Sequence, residues 1–199
     1  MKIIFASNNQ GKITELQALL HDFDIEIIPQ AELAVSDIEE TASTFVENAL
    51  LKARHASLMT GLPAIADDSG LEVFALHGKP GIYSARFAGK LATSQDNITK
   101  LLQELTGIPH EKRGARFYCA LVYLAYADDP TPLICQGTWQ GSILKTPSGH
   151  HGFGYDPVFY VPDEKCAAAE LSLQKKNFLS HRGQALRLLT EKLGEKIRL

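Results

Sequence analysis

The chain predicts an α/β fold built on a mixed β-sheet with flanking helices. Three observations carry this. Short apolar runs alternate with stretches of helical spacing through the first third of the chain. Two long β-type runs, residues 116–127 and 133–144, follow each other across Asp128-Asp129-Pro130-Thr131-Pro132, as an antiparallel ribbon would. A last amphipathic stretch after Ser180 closes the chain in a helix, with Leu186, Leu189 and Leu193 inward.

The elements follow in order. Residues 3–6 read as a short buried strand and residues 7–11 as a polar loop. Helix follows, with Ile13, Leu16, Leu19 and Leu20 at helical spacing. Residues 25–28 form a second strand. Residues 44–58 form a helix in which Ala49, Ala53 and Ala56 allow close packing, and Gly61-Leu62-Pro63 stops it. Residues 64–66 read as a strand ending at an acidic pair. Residues 79–89 are a Gly-rich loop, and 94–105 a helix capped by Thr93 or Ser94. The two long strands follow, then a loop over 149–156, a strand over 158–161 and a short helix beginning within 168–173.

Composition narrows the function. A length of 199 residues fits one domain, residues 1–199, large enough to bury a sizeable core. Hydrophobic content of 45% and charged content of 22% are those of a globular protein. A net charge of −3 exerts no bulk pull on nucleic acid, though a few placed cations can still bind a small anion. The three cysteines, Cys119, Cys135 and Cys166, show no C-x-x-C, which argues against a disulfide framework or zinc and for a cytoplasmic location. The longest apolar run, residues 119–127, is too short to span a membrane, and the N-terminal run too short for a signal peptide.

The most telling stretch is Asp67-Asp68-Ser69-Gly70. Adjacent carboxylates repel, so a core gains nothing from them. After an apolar strand they suit a site for a hard cation such as Mg²⁺, although an acidic turn would look the same. Ser7-Asn8-Asn9-Gln10-Gly11-Lys12 links a strand to a helix, where N–H groups, the helix dipole and a lysine suit phosphate. It lacks the glycine and hydroxyl spacing of a P-loop, and an ordinary strand-to-helix turn also fits. Asn48 and Lys52 share one helix face with Phe45, pointing at a ligand or at solvent. Gly152-Phe153-Gly154-Tyr155-Asp156-Pro157 places an aromatic between glycines, where a ring can stack on a nucleobase or tuck into the core. Lys175-Lys176 and Ser180-His181-Arg182-Gly183 put cations at a helix start, against the dipole, which hints at a site.

Taken in order with Pro80-Gly81-Ile82-Tyr83-Ser84-Ala85-Arg86, these motifs resemble the inosine/xanthosine triphosphate pyrophosphatases over residues 1 to about 190. The resemblance implies an elongated mixed sheet with two lobes around a nucleotide cleft. It also implies a homodimer that needs Mg²⁺ and cleaves non-standard purine triphosphates (ITP, dITP, XTP) to monophosphate and pyrophosphate. By the same resemblance Ser7, Asn8, Asn9, Gln10, Gly11 and Lys12 form the triphosphate loop. Glu40 and Asp68 hold the metal, and Asp68 is the proton acceptor for the attacking water. Lys52 faces the phosphates and Ser69 touches substrate. Phe153, Gly154, Tyr155, Asp156, Lys176, His181 and Arg182 form the base pocket. Asp67 braces Asp68 or contacts the metal through water, and Arg86 receives no role.

The residue types suit that reaction. Attack on the α-phosphorus needs charge neutralisation and an oriented water more than covalent chemistry. Donors such as Lys176, His181 and Arg182 favour a C6 oxygen and leave adenine's amino group unmatched, so ATP rejection on the order of 10⁴ is within reach. Guanine shares that oxygen, so GTP must be rejected at its C2 amino group. A sensor without turnover would not need Asp68, Glu40 and Lys12 together, and a pyrimidine house-cleaning hydrolase would not need the 153–156 and 180–183 motifs. His151, preceded by His150, stands where that family has Gly, so a positive φ there would strain the base loop. The two histidines lack an evident third ligand for a metal.

Overall fold

A computed structural model describes residues 1–20 and 25–197, with the side chains of residues 18, 19 and 197 outside the description. The strands are β1 (Lys2–Phe5), β2 (Glu26–Pro29), β3 (Ala64–Val73), β4 (Gly114–Leu124), β5 (Leu133–Ile143), β6 (Phe159–Val161) and β7 (Cys166–Ala167). The helices are α1 (Gln10–Leu20), α2 (Phe45–Thr60), α3 (Ser94–Glu104), α4 (Leu173–Leu179) and α5 (His181–Ile197). The strands form one sheet in the order β2-β1-β3-β4-β5-β6-β7. β1 pairs in parallel with β2 and β3, whereas β5-β6 and β6-β7 are antiparallel, so the sheet is mixed as expected. Parallel pairing of β2-β1-β3 follows from the helices α1 and α2 that link these strands, since parallel neighbours need a crossover.

The chain divides into two compact units, each drawn from separate stretches of sequence. The first comprises residues 1–68, 119–137 and 182–199. Its strands are apolar at successive positions because helices cover both faces. Ile3 and Phe5 of β1, Ile65 of β3 and Cys119, Leu121 and Tyr123 of β4 pack with Ile13, Leu16 and Leu20 of α1 and Leu186, Leu189 and Leu193 of α5. The intervening residues Ile4, Ala64, Ala66, Val122 and Leu124 face α2 through Ala49, Ala53 and Ala56. Leu19, also expected inward, lies outside the described side chains. The second unit comprises residues 69–118 and 138–181 and has a core of its own. There Leu71 and Val73, Ile98 and Leu101 of α3, and Phe117, Trp139 and Phe159 come together.

Local chemistry sets the element ends. Thr44 Oγ1 accepts from the Glu47 N–H at the start of α2, and Gly61 ends it at φ 68° with its N–H on the Ser57 carbonyl. Thr93, not Ser94, caps α3, in a reciprocal box with Asp96. Three expectations change. β3 does not stop at residue 66: it runs through the acidic pair to Val73, because Asp67 and Asp68 find partners on opposite faces. The segment from 168 is a 3-10 turn, Ala168–Glu170, and the helix is α4, which begins after Ser172 caps it. Gln10 and Gly11 belong to the first turn of α1, whose Lys12 N–H is accepted by Asn9 Oδ1 at 3.1 Å.

Candidate active site

In the first unit, alternation along β3 sends the two aspartates to different helices. Asp67 follows Ile65 onto the α1/α5 face. Lys12 Nζ lies 2.9 Å from its Oδ2, and Arg182 donates to the same oxygen from Nη2 at 3.1 Å. Arg182 Nη1 donates to Glu15 Oε2 at 2.8 Å. Burial pushes the Asp67 carboxyl up, but Lys12, Arg182 and Lys52 outweigh it and hold it well below the usual carboxylate range. Burial likewise opposes the charge on Arg182, and Asp67 and Glu15 overcome it.

Asp68 follows Ala64 and Ala66 onto the α2 face. Asn48 Nδ2 donates to its Oδ2 at 3.3 Å, and Lys52 Nζ lies 3.3 Å from its Oδ1. These partners are one turn apart on α2, so the shared helix face expected for Asn48 and Lys52 forms. Lys52 Nζ also lies 2.8 Å from Glu40 Oε1. Asn48, fully buried, is itself held in place by the Ala42 N–H, which donates to its Oδ1 at 3.0 Å. Burial raises the Asp68 pKa above the ordinary value, Glu40 and Asp67 raise it further, and Lys52 and Lys12 pull against them. The same acids keep Lys52 charged against its own burial.

Glu40 and Asp68 suit a divalent cation. Both are hard carboxylate donors, and both already converge on one cationic centre, the Lys52 ammonium. Burial is the chief cause of the raised Asp68 pKa, with the Glu40 and Asp67 charges adding to it. Among the described residues no three Asp, Glu, His or Cys side chains cluster as a metal cage. A pocket of about 240 Å³ opens at Glu40 and Lys52. Ser7, Asn8, Asn9, Lys12, Glu40 and Lys52 line it, together with Ala6, Gln30, Asp37, Ile38 and His55.

In the second unit, Asp156 organises a smaller group. Its Oδ2 accepts from the Phe153 N–H at 2.8 Å and from Lys176 Nζ at 2.8 Å. The Lys176 ammonium sits 4.5 Å from the centre of the Phe153 ring, which is 38% exposed. A Cβ on Gly152, at φ 79°, would collide with Asp156 Oδ2, so only glycine fits there. The left-handed positions of this loop are Gly149, Gly152 and Gly154; His151 is not among them, and its N–H donates to the Ala169 carbonyl, so no strain arises where it was expected. The His181 ring stacks on Phe117, with centroids 4.8 Å apart.

Two residues expected in the base pocket direct their polar groups at the protein itself. Tyr155 is buried in the core, and its hydroxyl donates to the Ser84 carbonyl at 2.9 Å, because a phenol ring flanked by Val158 and Leu171 gains more from burial than from display. Arg182 gives its guanidinium to Glu15 and Asp67. Ser69 lies half-buried in β3 next to Asp68. Sequence reasoning did not single out Glu15, Gln30, Asp37 or His55. A signal existed only for Glu15, which falls one helical turn after Lys12.

These features define an α/β protein whose first unit pairs Lys12 with Asp67, and Lys52 with both Asp68 and Glu40, beside a polar pocket. A model of the Ham1 family matches residues 3–192. The dITP/XTP pyrophosphatase of Shigella flexneri is 57% identical over 192 residues, spanning 96% of this chain and 98% of that protein. Among solved structures, the HAM1 protein from Coxiella burnetii superposes with a TM-score of 0.92 at 52% identity, covering 98% of this chain and 99% of that one. The Staphylococcus aureus Ham1 protein gives 0.88 at 43% identity, covering 98% and 100%. The chain belongs to the Ham1 family.

Proposed function

We propose that this protein hydrolyses non-standard purine nucleoside triphosphates, dITP, ITP and XTP, to the monophosphate and pyrophosphate, with residues 1–199 acting as one catalytic domain. The observation that carries the reading is Asp68, held between Asn48 and Lys52 with Glu40 on the same ammonium, beside a pocket lined by the 7–9 loop and Lys12. The near full-length likeness to a dITP/XTP pyrophosphatase supports it.

Ser7, Asn8, Asn9, Gln10, Gly11 and Lys12 bind the triphosphate, and Lys12 and Lys52 neutralise it. Asp68 accepts a proton from water as its oxygen bonds to the α-phosphorus and the bond to the β-phosphate oxygen breaks, with pyrophosphate leaving. Asp67, tied to Lys12 and Arg182, stays ionised and braces the phosphate side. Glu40 and Asp68 would hold Mg²⁺, which when bound supplies further charge neutralisation and a more acidic water. Ser69 contacts substrate. Phe153 stacks on the base, with Gly154 and Asp156 shaping its loop. Lys176 and His181 donate to a C6 oxygen, and Arg182, its fork oriented by Glu15 and Asp67, is the third member of that set. Tyr155 supports the loop from the core.

The resemblance supports a homodimer. A cytoplasmic location belongs to the same reading, since Cys119, Cys135 and Cys166 are free thiols. No described helix is long and apolar enough to cross a membrane. The test is pyrophosphate release with Mg²⁺ from ITP, dITP, XTP, ATP and GTP. The first three turn over rapidly and the last two slowly; equal rates on all five overturn the selectivity.

A further inference from the structure

Asp37 sits oddly in a pocket meant for phosphate. It lines the same cavity as Lys12 and Lys52, yet a carboxylate there repels a triphosphate. Its contacts supply a reason for its presence. Asp37 Oδ1 accepts from Asn8 Nδ2 at 2.9 Å and from Gln30 Nε2 at 2.6 Å. Gln30 is buried at the start of the 3-10 turn Gln30–Leu33, so one end of this chain of bonds is fixed by packing. The other end is the side chain of Asn8, in the loop between β1 and α1. The backbone next to Asp37 is also pinned, since the Ser36 carbonyl lies 3.0 Å from His55 Nε2 on α2.

We infer that Asp37 is a positioning residue for the phosphate loop: its Oδ1, anchored by Gln30, fixes the orientation of the Asn8 amide at the pocket wall. This rests on the reading of that pocket as the triphosphate site. An isolated Asn side chain turns its amide freely about a terminal torsion. An acceptor on its Nδ2 holds one orientation, so the loop meets its ligand already arranged. The acceptor atom matters here and the charge works against binding. Asp37→Asn, which keeps an Oδ1 acceptor, therefore retains the function, and Asp37→Ala loses it.

The probe is inorganic tripolyphosphate with Mg²⁺, titrated calorimetrically into the full chain, so that binding is read without turnover. Asp37→Ala weakens binding about tenfold. Asp37→Asn stays within about twofold of the parent or binds more tightly. The double variant Asn8→Ala/Asp37→Ala binds no more weakly than Asn8→Ala alone, because Asp37 acts through Asn8. In dITP hydrolysis the Asp37→Ala loss falls on KM, with kcat within about threefold. Unchanged binding in Asp37→Ala, an Asp37→Asn variant as weak as the alanine, or additive losses in the double variant would each overturn the inference. A parent protein that binds tripolyphosphate but does not hydrolyse dITP overturns the reaction proposed above and leaves Asp37 tested; a parent that binds no tripolyphosphate overturns both.

Discussion

The two adjacent aspartates do different work because they occupy successive positions of a strand. Asp67 meets Lys12 and Arg182 and is held firmly ionised, while Asp68 meets Asn48 and Lys52 and has a raised pKa. The proposed proton acceptor is the one on the Lys52 and Glu40 side, beside the pocket that Glu40 and Lys52 line. Asp68→Asn is expected to cut pyrophosphate release by at least roughly 10²-fold while the dissociation constant for dITP changes little, since size and shape survive even though the amide keeps only one of the two acceptor oxygens that Asn48 and Lys52 use. Near-native turnover in that variant would remove Asp68 from the chemistry. Phe153, partly exposed, carries the Lys176 ammonium over its ring. Phe153→Ala is expected to weaken dITP binding by about 1–3 kcal/mol; an unchanged dissociation constant would place the ring outside the site. Residue identities at Asp68, Lys52 and Phe153 were readable from the sequence through motif and spacing. The Asp67–Arg182–Glu15 contacts were not, because their members come from β3, α5 and α1, and nothing local ties them together.

At the scale of elements, α2 brings the side chains of the proposed site together. Ala49, Ala53 and Ala56 are fully buried and set the helix against β1, β3 and β4, so that Asn48 and Lys52 come within reach of Asp68. Small residues permit that approach, and a longer side chain must push the helix off. Ala53→Leu is expected to cost about 1–3 kcal/mol in urea-induced unfolding and to lower turnover together with stability. Native stability with native turnover would show that the close approach is not needed. The alanine spacing announced this helix and its inward face. The length of β3 was hidden, because Asp67-Asp68-Ser69-Gly70 carries every local mark of a turn. Only ion pairs on both faces of the strand make an acidic pair acceptable in its middle.

At the scale of the whole molecule, buried carboxylates couple stability to pH. Asp129 accepts from the Ala125 and Thr131 N–H groups and lies 2.9 Å from Lys196 Nζ, joining the β4–β5 connection to α5. Burial raises its pKa, but the Lys196 bond and the two N–H groups prevail and hold it at about 2. A carboxyl with a depressed native pKa binds its proton more readily when unfolded, so its stabilisation is complete above the ordinary range and fades as pH falls. The stability gap between the parent and Asp129→Asn is expected to shrink in urea unfolding between about pH 4 and pH 2. A constant gap over that window would mean that the charge contributes nothing. By itself the sequence determined the α/β class and most of the helix and strand order, and it nominated the 7–12 loop and the acidic pair that the proposed site uses, because those are written in short-range spacing. Which partner each charge takes was decided by tertiary structure alone. Strand alternation separates Asp67 from Asp68, but which partners wait on each face, the burial of Tyr155 and the meeting of Asp37 with Asn8 and Gln30 come only once the chain has folded, since such contacts carry no periodic signal.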